Sequence, residues 1–330
     1  MANDLEEIKQ LIEIYSRADE HFPLLVQQMR RLATISKYSI GTKIPKGIEL
    51  YRATSHHDYL PGLITDIGCP PKNATSAYGR ASTPQNPIFY SCSDKEGCLR
   101  ELRINQGKIV ILSKWITQSD MILHAIGYSE SVFKKLGSQR SKDLHLDDEF
   151  LKSGSAQEFE VWNFFGDMFT NTHPESYRIT AAITQLLLSG DFSGIRYPSL
   201  AKNGNVDNIA LTPEFATNNL LLQSAEAILI TKDGLSDESR IEGRAVAQLA
   251  SHAGGKLEWD TIGTNEAELK PNETAKFFLK PGEIKRIYGS GEITINGIIY
   301  HIEPGYSISH ENEELVMKDF RGKRIEPKSK

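Results

Sequence analysis

Residues 68–87, GCPPKNATSAYGRASTPQNP, constrain this chain more than any other stretch. Proline fixes φ and lacks an amide donor, and the Gly, Ser, Thr and Asn around it favour turns. No helix can run through such a segment. On either side lie short runs of β-branched and aromatic residues, IELYRA at 48–53 and IFYSCS at 88–93, which read as strands. The connection between them, 54–86, reads as one long loop. Loops longer than ~15 residues without structure of their own are uncommon and are often lids or binding loops.

The rest of the chain can be placed around this loop. Residues 1–37 predict two helices separated at Pro23, with Leu5, Ile8, Ile12 and Tyr15 on one face and Leu24, Leu25, Met29 and Leu32 on the next. They read as a hairpin packed on the main domain. Asp94 is placed to cap a helix running to about Asn105, and KIVILSKW (108–115) reads as a strand. Residues 120–150 read as helix and polar connection. AQEFEVWNFFGDMF (156–169) predicts a helix with Phe159, Trp162, Phe165 and Phe169 on one face, and Pro174 opens another that ends at Gly190. Strands are expected at 194–200, 208–213 and 222–230. Beyond about 235 the sequence turns polar (DGLSDESRIEGR) and then β-branched, punctuated by Gly and Pro. With 330 residues, two domains or a core with an appendage are expected. The boundaries drawn are a helical segment at 1–39, a core at 40–235 and a β-rich appendage at 236–330. Elements of both kinds, unevenly grouped, give an α+β fold class.

Charge and cysteine content narrow the function. Lys and Arg number 38 against 43 Asp and Glu, a net charge of −5, which offers no support for a dedicated nucleic-acid binder. No run approaches the ~18 apolar residues that span a bilayer, so no membrane partner is expected. MANDLEEIKQLIEIY is acidic and has no signal-peptide pattern, so the expected location is the cytoplasm, with delivery into a target cell left open. Cys69, Cys92 and Cys98 are too few and too oddly spaced for a disulfide framework or a metal site. His56-His57 resembles a metal pair, but adjacent strand residues point to opposite faces, so no metal is expected there. There is no P-loop and no dinucleotide fingerprint.

One set of residues carries chemistry. Arg52 ends a strand just after Tyr51, Arg80 follows Gly79 in the long loop, and Tyr90 sits in the next strand. Glu101 lies on the following helix, and Ser199 follows Tyr197-Pro198. Two arginines suit a pyrophosphate, and a tyrosine offers a face for a ring. A carboxylate can bind ribose hydroxyls and stabilise the cation formed as a glycosidic bond breaks. Each residue also has a plainer reading. Arg52 is a salt-bridge arginine, Arg80 a loop arginine, Tyr90 a core tyrosine and Ser199 a turn former. Glu96 competes with Glu101 for the role of the carboxylate.

The ordered pieces LYRA (50–53), YGRAS…NPIFYSCSDKEGCLREL (78–102) and GIRYPSL…NVDNIALTP (194–213) resemble the RES-domain family of toxins, over roughly 45–230. The resemblance implies a split, bent mixed β-sheet like that of the ADP-ribosyltransferase toxins, around an NAD cleft. It implies NAD as substrate, with no separate cofactor, and cleavage of its nicotinamide–ribose bond by hydrolysis or phosphorolysis, or ADP-ribosylation of a protein. It also implies a cognate antitoxin or immunity protein. Carried onto this chain, Arg52, Glu101 and Ser199 are the expected catalytic set, and Tyr51, Arg80 and Tyr90 the expected NAD contacts. The N-terminal helices, the insert at about 117–170 and the β-rich tail fall outside the expected pattern.

Overall fold

The computed structural model describes residues 2–36, 40–56, 60–102, 109–140, 144, 146, 152, 154–173, 175–230, 241–248, 255–261, 274–275, 284–286, 291–295, 298–302, 306–311, 314–319 and 323–326. Two helices come first, α1 (Ala2–Tyr15) and α2 (Phe22–Ile35), with Pro23 in the first turn of α2, where its missing N–H costs nothing. Strands β1 (Gly41–Ile44) and β2 (Glu49–His56) follow. The long connection to β3 (Phe89–Cys92) carries a one-turn helix, α3 (Ile64–Ile67), and a 3-10 turn at Lys72–Ala74, so it is more ordered than a structureless loop. Then come α4 (Lys95–Glu101), β4 (Ile109–Thr117), β5 (Met121–Ala125) and α5 (Glu130–Leu136). Helices α6 (Ala156–Phe169) and α7 (Ser176–Leu187) lead into β6 (Gly194–Pro198) and β7 (Asp207–Leu211). Helix α8 (Pro213–Asn219) and strand β8 (Leu220–Ile230) complete this part. Pro174 and most of the polar stretch at 233–244 lie outside the described residues.

These strands pair in the order β1-β5-β6-β7-β3-β2-β4-β8. Only β5 and β6 among them run parallel, so the sheet is mixed and the fold is α+β, as the sequence indicates. Pairing is uneven. β2 and β4 pair from Glu49↔Ile116 to His56↔Ile109, and β3 pairs β7 along its whole length. By contrast, β2 and β3 meet at one pair, Tyr51↔Cys92. The sheet is split there into two sections.

Helices cover one main core. Leu5, Ile8 and Ile12 of α1 and Leu25, Met29 and Leu32 of α2 are buried with Val161, Trp162, Phe165 and Phe169 of α6. Ile183 of α7, Ile195 and Tyr197 of β6 and Ala210 of β7 close the same cluster. The face expected for 156–169 holds at Trp162, Phe165 and Phe169 and differs at one residue. Phe159 is 41% exposed, and Val161 takes its place inside. Residues 121–125, read as helix, form β5 because β1 and β6 take up its amides and carbonyls on both sides. A second cluster of Ala53, Cys92, Cys98, Leu99, Val110, Leu112 and Ile228 fastens α4 to the sheet.

The chain divides into two compact units, Met1–Glu242 with Ala247–Trp259, and Gly243–Val246 with Asp260–Lys330. The N-terminal helices belong to the first unit. The second is β-rich. Gly291–Ile295 and Ile298–Ile302 form an antiparallel pair flanking Asn296-Gly297, and Ser307–Glu311 pairs antiparallel with Glu314–Lys318. No helix among the described residues is long and apolar enough to cross a membrane.

Candidate active site

The site is built at the split in the sheet, and α4 supplies its carboxylate. Asp94 caps this helix by accepting the Gly97 N–H at 2.7 Å, and Cys98 and Leu99 bury its inner face. That leaves Glu101 in the last turn with its carboxylate outward. The Ser199 hydroxyl donates to Glu101 Oε1 at 2.6 Å, and Asn208 Nδ2 donates to the same oxygen at 2.8 Å. Ser199 opens the β6–β7 connection and Asn208 stands at the start of β7. The turn between them is closed by Ser199 N–H to Val206 O (2.9 Å) and Gly204 N–H to Ser199 O (2.7 Å), with Gly204 at φ +74°. Asp207, at the start of β7, is held by Arg140 at 2.6 Å and by the Tyr128 hydroxyl at 2.5 Å. The carboxylate is thus oriented through one oxygen by a braced turn. Glu96, the competing acid, is tied instead to Lys202 (2.7 Å) and Arg100 (2.6 Å), and those bonds hold its carboxyl below the usual range.

Arg52 bridges the split. It is 7% exposed. Its Nε donates to Ile67 O at 3.1 Å, and its Nη1 donates across the gap to Tyr90 O at 3.0 Å. The guanidinium lies 5.1 Å from the centre of the Phe89 ring. Burial lowers its pKa from the usual arginine value, yet arginine remains charged at any physiological pH. Arg80 donates through Nη1 to Phe169 O (2.6 Å) and Asn171 O (3.1 Å), at the C-terminal end of α6, where a cation is favoured. It also lies 5.2 Å from the Tyr177 ring.

Tyr90 ties the Arg80 loop down. Its hydroxyl accepts the Ala81 N–H at 2.7 Å and donates to Ser82 Oγ at 3.2 Å. The loop lies so close that a Cβ on Gly79 would fall 2.6 Å from Ser82 Oγ and 2.8 Å from that hydroxyl, so any larger residue there must displace this hydrogen-bonded pair. Burial pushes the Tyr90 phenol up, so it stays neutral.

Arg52, Arg80, Tyr90 and Glu101 line one cavity of about 760 Å³, with Arg100, Thr172, Tyr177, Tyr197 and Asn208. That volume falls in the ~300–1,000 Å³ range of small-molecule sites. Cys92 and Cys98 are also in its wall. Burial pushes the Cys92 thiol up to about 12 and the Cys98 thiol up as well, so neither is a thiolate near neutral pH. Two expected residues stand elsewhere. Ser199 is fully buried and absent from the lining, because its hydroxyl is committed to Glu101. Tyr51 is also absent from it. It packs instead against the cluster of Ala53, Cys98 and Leu99, and its hydroxyl donates to Glu49 Oε2 at 3.0 Å. Asn208, inside the motif NVDNIALTP, was not singled out by the sequence, although it holds the carboxylate as Ser199 does.

The profile of the RES domain matches residues 49–227, more than half of the chain. The chain belongs to the RES-domain family. Every residue of the cavity wall just described falls within the matched segment. RES domains are linked in general to toxin-type enzymes of NAD chemistry. No curated protein matches the chain.

Proposed function

We propose that this RES-domain chain cleaves the nicotinamide–ribose bond of NAD with water as acceptor. The observation that carries the reading is the oriented Glu101 carboxylate beside two arginines in one cavity. Nicotinamide is bonded to ribose as a pyridinium and departs as a neutral base, so the leaving group needs no proton. The positive charge passes to the sugar as an oxocarbenium ion, and a fixed carboxylate stabilises it. Glu101 supplies that charge. Ser199 and Asn208 occupy Oε1, so Oε2 is the oxygen that meets the ribose hydroxyls.

The arginines suit the diphosphate. The carbonyls named above take Nε and Nη1 of Arg52 and Nη1 of Arg80, which leaves Nη2 of each guanidinium for a phosphate oxygen. Tyr90 offers its ring to the nicotinamide riboside while its hydroxyl holds the loop. An antitoxin or immunity protein would neutralise such an enzyme most directly by covering the cavity.

The test is incubation of the purified chain with NAD and chromatography of the products. Equal amounts of nicotinamide and ADP-ribose are expected. A phosphorylated ADP-ribose in phosphate buffer would change the acceptor, and transfer of labelled ADP-ribose to a lysate protein would make the enzyme a transferase. Intact NAD under all three conditions would overturn the reading.

A further inference from the structure

The helices α1 and α2 lie before the segment that the RES-domain profile matches, yet they reach the cavity through a chain of side-chain contacts. Tyr78 stands two residues before Arg80. Its ring packs against Phe22, the first residue of α2, with ring centres 5.1 Å apart. On Tyr78 also lies the Arg178 guanidinium of α7, 5.5 Å from the ring centre. The neighbouring pair is crossed the other way, with Arg80 of the loop lying on Tyr177 of α7 at 5.2 Å. Loop and helix therefore exchange two arginine–tyrosine contacts.

The N-terminal hairpin sets the position of Arg178. Its Nε donates to Asp19 Oδ1 at 2.5 Å, and its Nη1 donates to Ser16 O at 3.1 Å, at the C-terminal end of α1. Ala81, just after Arg80, is buried in the same cluster as Leu5, Leu25 and Met29. None of these hairpin residues lines the cavity.

We infer that the α1–α2 hairpin is a positioning element of the active site, holding the Arg80 loop through Asp19, Ser16, Arg178, Phe22 and Tyr78. This rests on the NAD reading for its kinetic consequence only. Misplacing Arg80 weakens the grip on the diphosphate, while Glu101 keeps its own donors, Ser199 after β6 and Asn208 in β7.

The experiment compares Phe22→Ala, Arg178→Ala and Arg178→Lys in the full chain, by NAD kinetics and by amide hydrogen exchange of the segment around 78–83. Phe22→Ala and Arg178→Ala should raise KM for NAD about five- to tenfold with kcat little changed. Exchange at 78–83 should quicken while exchange in β6 and β7 stays as in the parent. Arg178→Lys keeps the cation over Tyr78 and should recover part of both effects. If the parent cleaves NAD but KM and exchange at 78–83 are unchanged in both alanine variants, the inference falls and the NAD reading stands. If the parent leaves NAD intact while exchange at 78–83 still quickens, the NAD reading falls and the positioning role stands. Equal acceleration of exchange throughout the first unit would mean general loosening and would overturn the inference.

Discussion

Among single residues, Glu101 carries the sharpest expectation. Glu101→Gln should lower NAD turnover by about 10²–10³-fold, with circular dichroism and melting temperature preserved. Ser199 and Asn208 both donate to Oε1, so the amide oxygen is directed to that position and the NH₂ group to the other. The variant would present a donor where the ribose needs an acceptor. A second residue governs the response to acid. Burial holds His124 down at about 4, with its Nε2 2.9 Å from Leu187 O and its ring stacked on Phe192. Between pH 4 and 6.5 the unfolded chain binds a proton that the folded chain refuses, so stability rises with pH across that window and is lost as pH falls. The loss approaches roughly 3 kcal/mol below pH 4. Thermal melts from pH 7.5 to 4.5 should show it, and His124→Gln should flatten the profile.

At the level of elements, strand β6 leaves no room beside Gly194. A Cβ on Gly194 would fall 2.2 Å from the Ala210 carbonyl oxygen and 2.9 Å from Leu211 Cα, both backbone atoms of β7. Gly194→Ala should therefore cost about 3 kcal/mol or more, read as a fall in melting temperature. The same strand shows what the sequence made legible. GIRYPSL is a short β-branched and aromatic run ended by Pro-Ser, and it is a strand, as are the runs at 48–53, 88–93 and 108–115. Asp94 was legible as a cap because a side-chain acceptor before a helix acts locally. MILHA was not legible as β5. Met, Leu and Ala favour helix, and only pairing with distant β1 and β6 overrides that preference. The strand expected to 213 ends at Leu211, because Thr212 caps and Pro213 opens helix α8. For the site, Arg52, Arg80, Tyr90 and Glu101 were legible from the order of motifs. The buried role of Ser199 and the part played by Asn208 depend on how the end of β6 and the start of β7 meet α4, and the absence of Tyr51 from the cavity on its packing against Cys98 and Leu99.

For the whole molecule, the division into two units makes a clear expectation. A chain ending at Trp259 keeps every residue of the cavity wall and of the main core, and it should cleave NAD as the full chain does. Loss of turnover with a folded product would show that Asp260–Lys330 takes part in the chemistry. Removing α1 and α2 should instead give an unfolded product, because Leu5, Ile12, Leu25 and Met29 sit in the core itself. The single β2–β3 pair has a mechanical meaning. Two plates of sheet are joined along a seam with one backbone pair, and the Arg52 side chain acts as a rivet through Tyr90 O. Substitution of Arg52 then removes a fastener together with the proposed diphosphate contact, and should loosen the joint even in the absence of NAD. Under the proposed function, a diphosphate that takes up its remaining donors would be clamped to a rivet shared by both plates, so occupancy of the site would stiffen the seam and the substrate would become, while bound, part of the joinery.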